Sequence, residues 1–235
     1  MELNSLHPLA DDAAGTFVQL ISQRALPGDG NTPGRLAGRF WFDRIAGASN
    51  PRPNDVSFGF GAWLATQQPV FARQGLSLSS WEARVDRGSG MLLRPPSRLF
   101  IDAGLDPAIA RSMPIRIEGG DGLMGGAWVP SRLMGQYLER LDQHLERSVR
   151  RMNDAELDGA AAMSLMFEAA RYASQHGLGL YEMVDLLDPS DSSTWPADAR
   201  VVTRSTDKAL DERIRLATQP TKEPGLIARL FGRAR

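Results

Sequence analysis

Leu133-Met134-Gly135-Gln136-Tyr137-Leu138-Glu139-Arg140-Leu141-Asp142-Gln143-His144-Leu145-Glu146-Arg147-Ser148-Val149 is the stretch whose reading decides the fold class. Leu133, Met134, Tyr137, Leu138, Leu141, Leu145 and Val149 recur at three- and four-residue steps. Arg132, Glu139, Arg140, Asp142, Glu146 and Arg147 fall mainly elsewhere around the same helix. An apolar stripe with this period buries one side of a helix and leaves the other in water, so the spacing predicts an amphipathic helix over 131–151. Asn153-Asp154 then offers a cap for a second helix running through Leu157, Ala161, Leu165, Met166, Phe167, Ala169, Ala170 and Tyr172 to Ala173, with Gly177 as the residue that ends it. So short a break brings the two together as an antiparallel hairpin.

Downstream, 178–187 reads equally as strand or helix, 188–197 as a loop, and 206–217 as a third helix. The chain from 219 to 235 is a linker-like basic tail ending in Leu226-Ile227-Ala228-Arg229-Leu230-Phe231-Gly232-Arg233, apolar on one side and cationic on the other.

Upstream the texture changes to glycine, proline and aromatics. Phe17-Val18-Gln19-Leu20-Ile21 is short and apolar, and Pro27-Gly28-Asp29-Gly30-Asn31-Thr32-Pro33-Gly34 is a loop, since glycine supplies positive φ and proline fixes turns. Arg39 to Ile45 has the aromatic content of a strand. Val56-Ser57-Phe58-Gly59-Phe60-Gly61-Ala62-Trp63-Leu64 alternates apolar and small residues, the pattern of a strand packed closely on other backbone. Trp81 to Val85 and Met91 to Leu93 frame a hairpin around Arg87-Gly88-Ser89-Gly90, and Arg98 to Ile101 and Pro114 to Glu118 are further strand candidates. Asp106-Pro107 opens a short helix, with aspartate as cap and proline at the first helical position.

The expected fold is therefore α+β: an irregular, mostly antiparallel sheet from the N-terminal half, packed against the C-terminal helical hairpin and a third helix. The domain reading is one α+β unit over 1–218, β-rich at 15–118 and helical at 131–217, followed by the tail at 219–235.

Composition bounds the chemistry. The chain has 235 residues, 42% apolar and 23% charged, ordinary globular usage. With no cysteine, disulfides, thiolate metal sites and thiol nucleophiles are excluded, and a reducing compartment fits. The first residues, with Glu2, Asp11 and Asp12, lack the pattern of a cleaved signal. No stretch approaches the ~20 apolar residues of a membrane span. The expectation is a cytoplasmic protein without stable membrane insertion.

A net charge of −1 argues against nucleic acid as partner. The charge is segregated, however: Glu182, Asp185, Asp188, Asp191, Asp198, Asp207, Asp211 and Glu212 face only Arg200, Arg204 and Lys208 over 182–212, whereas Arg213, Arg215, Lys222, Arg229, Arg233 and Arg235 outnumber Glu223 beyond it. Lys208 and Lys222 are the only lysines, a bias that a GC-rich bacterial genome would impose.

Gly120-Asp121-Gly122-Leu123-Met124-Gly125 fits G-x-G-x-x-G, but Gly126 to Pro130 intervene before the helix, and Asp142, where a ribose-binding acid should stand, lies inside a helix. A strand-to-helix loop is the better reading, and no cofactor is expected. His7, His144 and His176 share no metal-ligand spacing, so no metal is expected and each reads as structural. Nucleophile elbow, S-x-x-K and P-loop motifs are missing.

Glu182, Asp185, Asp188 and Asp191 recur every three residues, without the order of a calcium loop. On a helix they would form an acidic stripe of the kind a cationic protein partner recognises. Trp128 and Trp195, beside or near prolines, are the candidate interface anchors. The function expected from these residues is a non-enzymatic protein-interaction module, such as a bacterial immunity or adaptor protein that binds and caps a partner. Two other readings stand beside it. One is a small-molecule sensor built on the Phe40 to Trp63 aromatics and the Gly119 to Gly126 loop. The other is an enzyme with dispersed groups, for which Asp102, Glu118, Asp121 and His176 come first.

Overall fold

A computed structural model describes residues 3–23, 45–46, 48, 51–78, 87–111, 127–184 and 199–217. The chain is an α+β protein. A five-stranded mixed sheet runs in the order β3-β4-β1-β2-β5, where β1 is Leu3–Leu9, β2 Val70–Gln74, β3 Trp128–Val129, β4 Gly179–Val184 and β5 Val201–Val202. β1 pairs antiparallel with β2 and β4, and β3 antiparallel with β4; β2 and β5 are parallel. The expected mostly antiparallel sheet is present, but its strands come from both halves of the chain. Its centre, β1, lies ahead of the region read as β-rich.

Helices cover both faces. On one side lie α1 (Ala13–Gln23), α2 (Pro53–Ala65), α4 (Pro96–Asp102) and α5 (Pro107–Arg111); α3 (Arg87–Gly90) is a single turn. On the other lie α6 (Met134–Gln143), α7 (Leu145–Asp154), α8 (Gly159–Gln175) and α9 (Lys208–Ala217). Strand alternation sends Leu6, Phe71, Val129 and Leu180 into a core with α6 to α9. It sends Leu9, Tyr181 and Met183 into a separate core with Ala13, Ala14, Phe17, Val56, Phe60, Leu99, Phe100 and Ile109.

Two segments expected as strands are helices. Val56 to Leu64 belongs to α2, because a helical turn puts Val56, Phe60 and Leu64 on one buried side. Pro53 at the first turn is the overlooked start signal. The glycines at 59 and 61 cost helix propensity that burial of this face offsets. Arg98 to Ile101 lies in α4, which also begins on proline, and Gly104 beyond it adopts a left-handed φ of 87°. Of the proposed 81–93 hairpin, the turn Arg87–Gly90 is a single helical turn and the second arm, Met91 to Leu93, is not a strand. The hairpin's first arm, the strand expected at 39–45 apart from Ile45, which is helical, and the strand expected at 114–118 lie outside the described residues. The short apolar run at 17–21 is part of α1.

The helix expected over 131–151 is divided. Ser131–Leu133 forms a 3₁₀ turn, and His144 separates α6 from α7. The cap of α8 is Asp158 rather than Asn153-Asp154: its carboxylate accepts from the Ala161 amide at 3.1 Å. Asn153 Oδ1 accepts instead from Gly159 N at 3.0 Å, tying the end of α7 to the start of α8. Glu156 takes a left-handed φ of 60° in the turn between them. Gly177, φ 66°, ends α8 as expected. The expected cap at Asp106 is realised by its Oδ1, which accepts from Ala108 N at 2.8 Å, and Asp207 Oδ1 caps α9 by accepting from Leu210 N at 2.9 Å.

Candidate functional site

The central strands carry the buried polar residues. β1 places Asn4, Ser5 and His7 inside, and β4 adds Glu182. Alternation divides them between the two faces, since Leu6 pairs with Glu182 while His7 pairs with Tyr181.

On the α6–α9 face, Glu182 is 1% exposed. The Ser77 hydroxyl donates to its Oε1 at 2.5 Å and Asn4 Nδ2 to the same oxygen at 3.4 Å. This takes Glu182 out of the expected acidic stripe: 179–184 is a strand, not a helix, and Glu182 is interior and unable to meet a partner. A buried carboxylate demands such donors, because its desolvation is otherwise uncompensated.

On the other face, Ser5 Oγ and His7 Nε2 are 3.0 Å apart, and Ser5 Oγ reaches the Met183 carbonyl at 3.5 Å. Trp128, Tyr181 and His7 form a row across β3, β4 and β1. Above the row stands α2: Phe60 meets Tyr181 edge-on at 5.5 Å, Phe17 at 5.2 Å and Phe100 at 5.0 Å. Trp63 stacks on Phe60 at 6.0 Å. Four buried polar atoms here have no hydrogen-bond partner: His7 Nδ1, Ser57 Oγ, Trp63 Nε1 and Trp128 Nε1. Ser57 lies close enough to Tyr181 to favour ionisation of its phenol without forming a well-shaped hydrogen bond. Burial dominates and pushes that phenol up, as does the Glu182 charge, so Tyr181 stays neutral. Burial alone pushes His7 down to about 3.

Ser5 and His7 thus have the separation of a nucleophile and its base, but not the properties. The pair is enclosed at the sheet centre, His7 is too weak a base near neutral pH, and the carboxylate that would orient its other nitrogen, Glu182, faces the opposite layer. The sequence reading passed over this pair. Its only signal was a serine and a histidine two apart, which share a face once the segment is a strand.

Of the other expected site residues, Trp128 is half-buried on β3, an edge strand, where its backbone exchanges hydrogen bonds with Arg94 at 2.9 and 3.0 Å. Asp185, Asp188, Asp191 and Trp195 lie outside the described residues, as do Glu118, Asp121 and the Gly120 to Gly125 motif. Asp102 and His176 are both exposed. His176 stacks on Tyr172 at 4.1 Å, with Nδ1 2.8 Å from the Tyr172 carbonyl, an arrangement that closes the end of α8. His144 is half-buried at the junction of α6 and α7.

Among the described residues no group of three or more histidines and carboxylates could hold a metal ion, and no helix is long and apolar enough to cross a membrane. No protein-family model, characterised protein or solved structure matches this chain.

Proposed function

We propose that the chain is a non-enzymatic protein-interaction module, of the immunity or adaptor kind, which binds and caps a partner protein. The observation that carries this reading is the separation of the buried ionisable groups: His7 and Glu182 occupy adjacent strands but opposite faces of the sheet. Acid–base chemistry needs such groups converging on one reacting atom. Most of the other acids and bases on the described helices lie toward solvent, as in α7, where Glu146, Arg147, Arg150, Arg151 and Asp154 are all exposed. There they act through steering and pairing.

With Glu182 inside the sheet, the partner-facing residues of this proposal are Asp185, Asp188, Asp191 and Trp195, together with Trp128 at the sheet edge, and the partner is cationic. The small-molecule alternative is disfavoured within the described aromatic layer, where ring centroids 5.0 to 6.0 Å apart place the side chains in direct contact.

Co-purification of the tagged full chain from its native host, with mass spectrometry of what is retained, tests the proposal. A stoichiometric protein partner, lost when Asp185, Asp188 and Asp191 are changed together to asparagine, is the expected result. Recovery of the chain alone counts against it.

A further inference from the structure

Beyond this reading, the arrangement around His7 bears on how the fold responds to acid. The two apolar cores are distinct, one on each face of the sheet. Of the five buried side-chain polar atoms without a hydrogen-bond partner among the described residues, those of His7, Ser57, Trp63 and Trp128 belong to the α1–α2 side, and the fifth, Arg171 Nη2 on α8, is ion-paired with Asp207 at 2.8 Å. Burying an unpaired donor or acceptor costs the desolvation of that group, so this side is held less firmly for the same apolar contact. We infer that the layer formed by α1, α2 and α4 is an acid-released cover, which opens from the sheet more readily in mildly acidic solution while the α6–α9 layer stays docked.

His7 supplies the trigger through its place in the fold. Its ring is 1% exposed, Nε2 is taken by Ser5, and Nδ1 meets nothing. A proton arriving on that ring would create an unpaired charge in an apolar layer, which the closed form resists and the open form accepts. Among the described residues, nothing facing the ring offsets the charge. β4 presents Tyr181, which is neutral, and β2 presents Val70 and Ala72. α2 presents Ser57 and Phe60, with its acidic residue Asp55 half-buried in the first turn, and α1 presents Ala13, Ala14 and Phe17. Glu182 points into the other layer.

The sign follows from linkage. Because the closed form lowers the histidine from 6.5 to about 3, its stability relative to the open form is complete above pH 6.5 and falls as the pH drops toward 3. Asp207, held below the usual carboxylate range by the Leu210 amide it caps, remains ionised through the upper part of this window, so the α9 cap is retained there. Opening would expose Phe17, Phe60 and Phe100 on the released helices and Tyr181 on the sheet.

Amide exchange on the full chain at about pH 7.2 and about pH 5.3 tests this, with rates corrected for intrinsic chemistry. Exchange in α1, α2 and α4 is expected to rise about tenfold at the lower pH, the ratio set by proton uptake in the open form alone. Exchange in α8 should not change. The variant His7→Gln offers Ser5 a partner but does not titrate, and should remove the rise. Equal acceleration in both layers, no acceleration in α1, α2 and α4, or a rise that persists in His7→Gln would overturn the inference. Should that variant not fold, the wild-type ring decides the matter by NMR. His7 should show no titration in the closed form above pH ~5, and a folded-state titration near 6.5 would refute the proposal.

Discussion

Replacing Phe60 by alanine is the sharpest test of the α1–α2 layer. Phe60 is fully buried and its ring touches side chains from four elements: Phe17 of α1, Trp63 of its own α2, Phe100 of α4 and Tyr181 of β4. Truncating a buried phenylalanine costs about 3–5 kcal/mol, the spread reflecting how far the neighbours collapse into the space. Here collapse would require several helices to shift onto a sheet whose hydrogen bonds hold it in place. In addition, the aromatic pairings contribute roughly 0.5–1.5 kcal/mol each beyond their area. The upper half of the range, about 4–5 kcal/mol, is therefore expected. For a chain of this size each kcal/mol moves the midpoint by about 2–4 °C, so Tm should fall by on the order of 10 °C or more. Chemical denaturation of wild type and variant, followed by circular dichroism with the slope m checked for constancy, measures the difference. A loss below about 1 kcal/mol would mean that Phe60 is not central to a packed layer, and the assignment of Val56 to Leu64 to a buried helix would fall with it.

Ser77→Ala removes a close donor from the buried Glu182 carboxylate and should cost about 1–3 kcal/mol in the same assay; a neutral result would show the carboxylate to be satisfied without it. Gly179→Ala would place a Cβ 2.6 Å from the Val129 carbonyl oxygen, forcing β3 away from β4, and should destabilise by about 1–3 kcal/mol. Glu156→Gly relieves a left-handed backbone and should stabilise by up to about 1 kcal/mol, the gain limited by the freedom glycine has when unfolded; a loss would show that the Glu156 side chain contributes more than its backbone costs. Asp207 is held below the usual carboxylate range, first by the Leu210 amide it caps and also by Arg171. Its contribution is therefore present above the unfolded value near 3.8 and is lost as pH falls through the lower folded value. Denaturation midpoints should thus decline more steeply below pH ~4 in wild type than in Asp207→Asn.

How much was legible depended on whether a segment is buried on one side or two. α6, α7 and α9 meet the core with one face and water with the other, so their periodicity could be read directly, and Gly177 announced the end of α8 and Asp106 the start of α5 through local demands that do not depend on the rest of the molecule. β1 has helices over both faces and carries Asn4, Ser5 and His7 inside, so it shows neither an apolar run nor alternation. α2 contains glycines that mimic a strand pattern, and only its contacts with Tyr181, Phe17 and Phe100 select the helix.

The candidate site was hidden for the same reason. Read alone, Glu182 is one more acid in an acidic region. Paired with β1, it is a buried group whose partners include Asn4, 178 residues away.

By itself, then, the sequence determined the α+β class, the amphipathic helices of the second half, the stop at Gly177 and the absence of thiol chemistry. These follow from local preferences and from composition. Only the tertiary structure decided that β1 is the central strand, that 179–184 is extended, and that His7 and Glu182 are divided between opposite faces. Those outcomes depend on hydrogen bonds and burial between segments distant in the chain, and no local pattern records which distant strand will supply them.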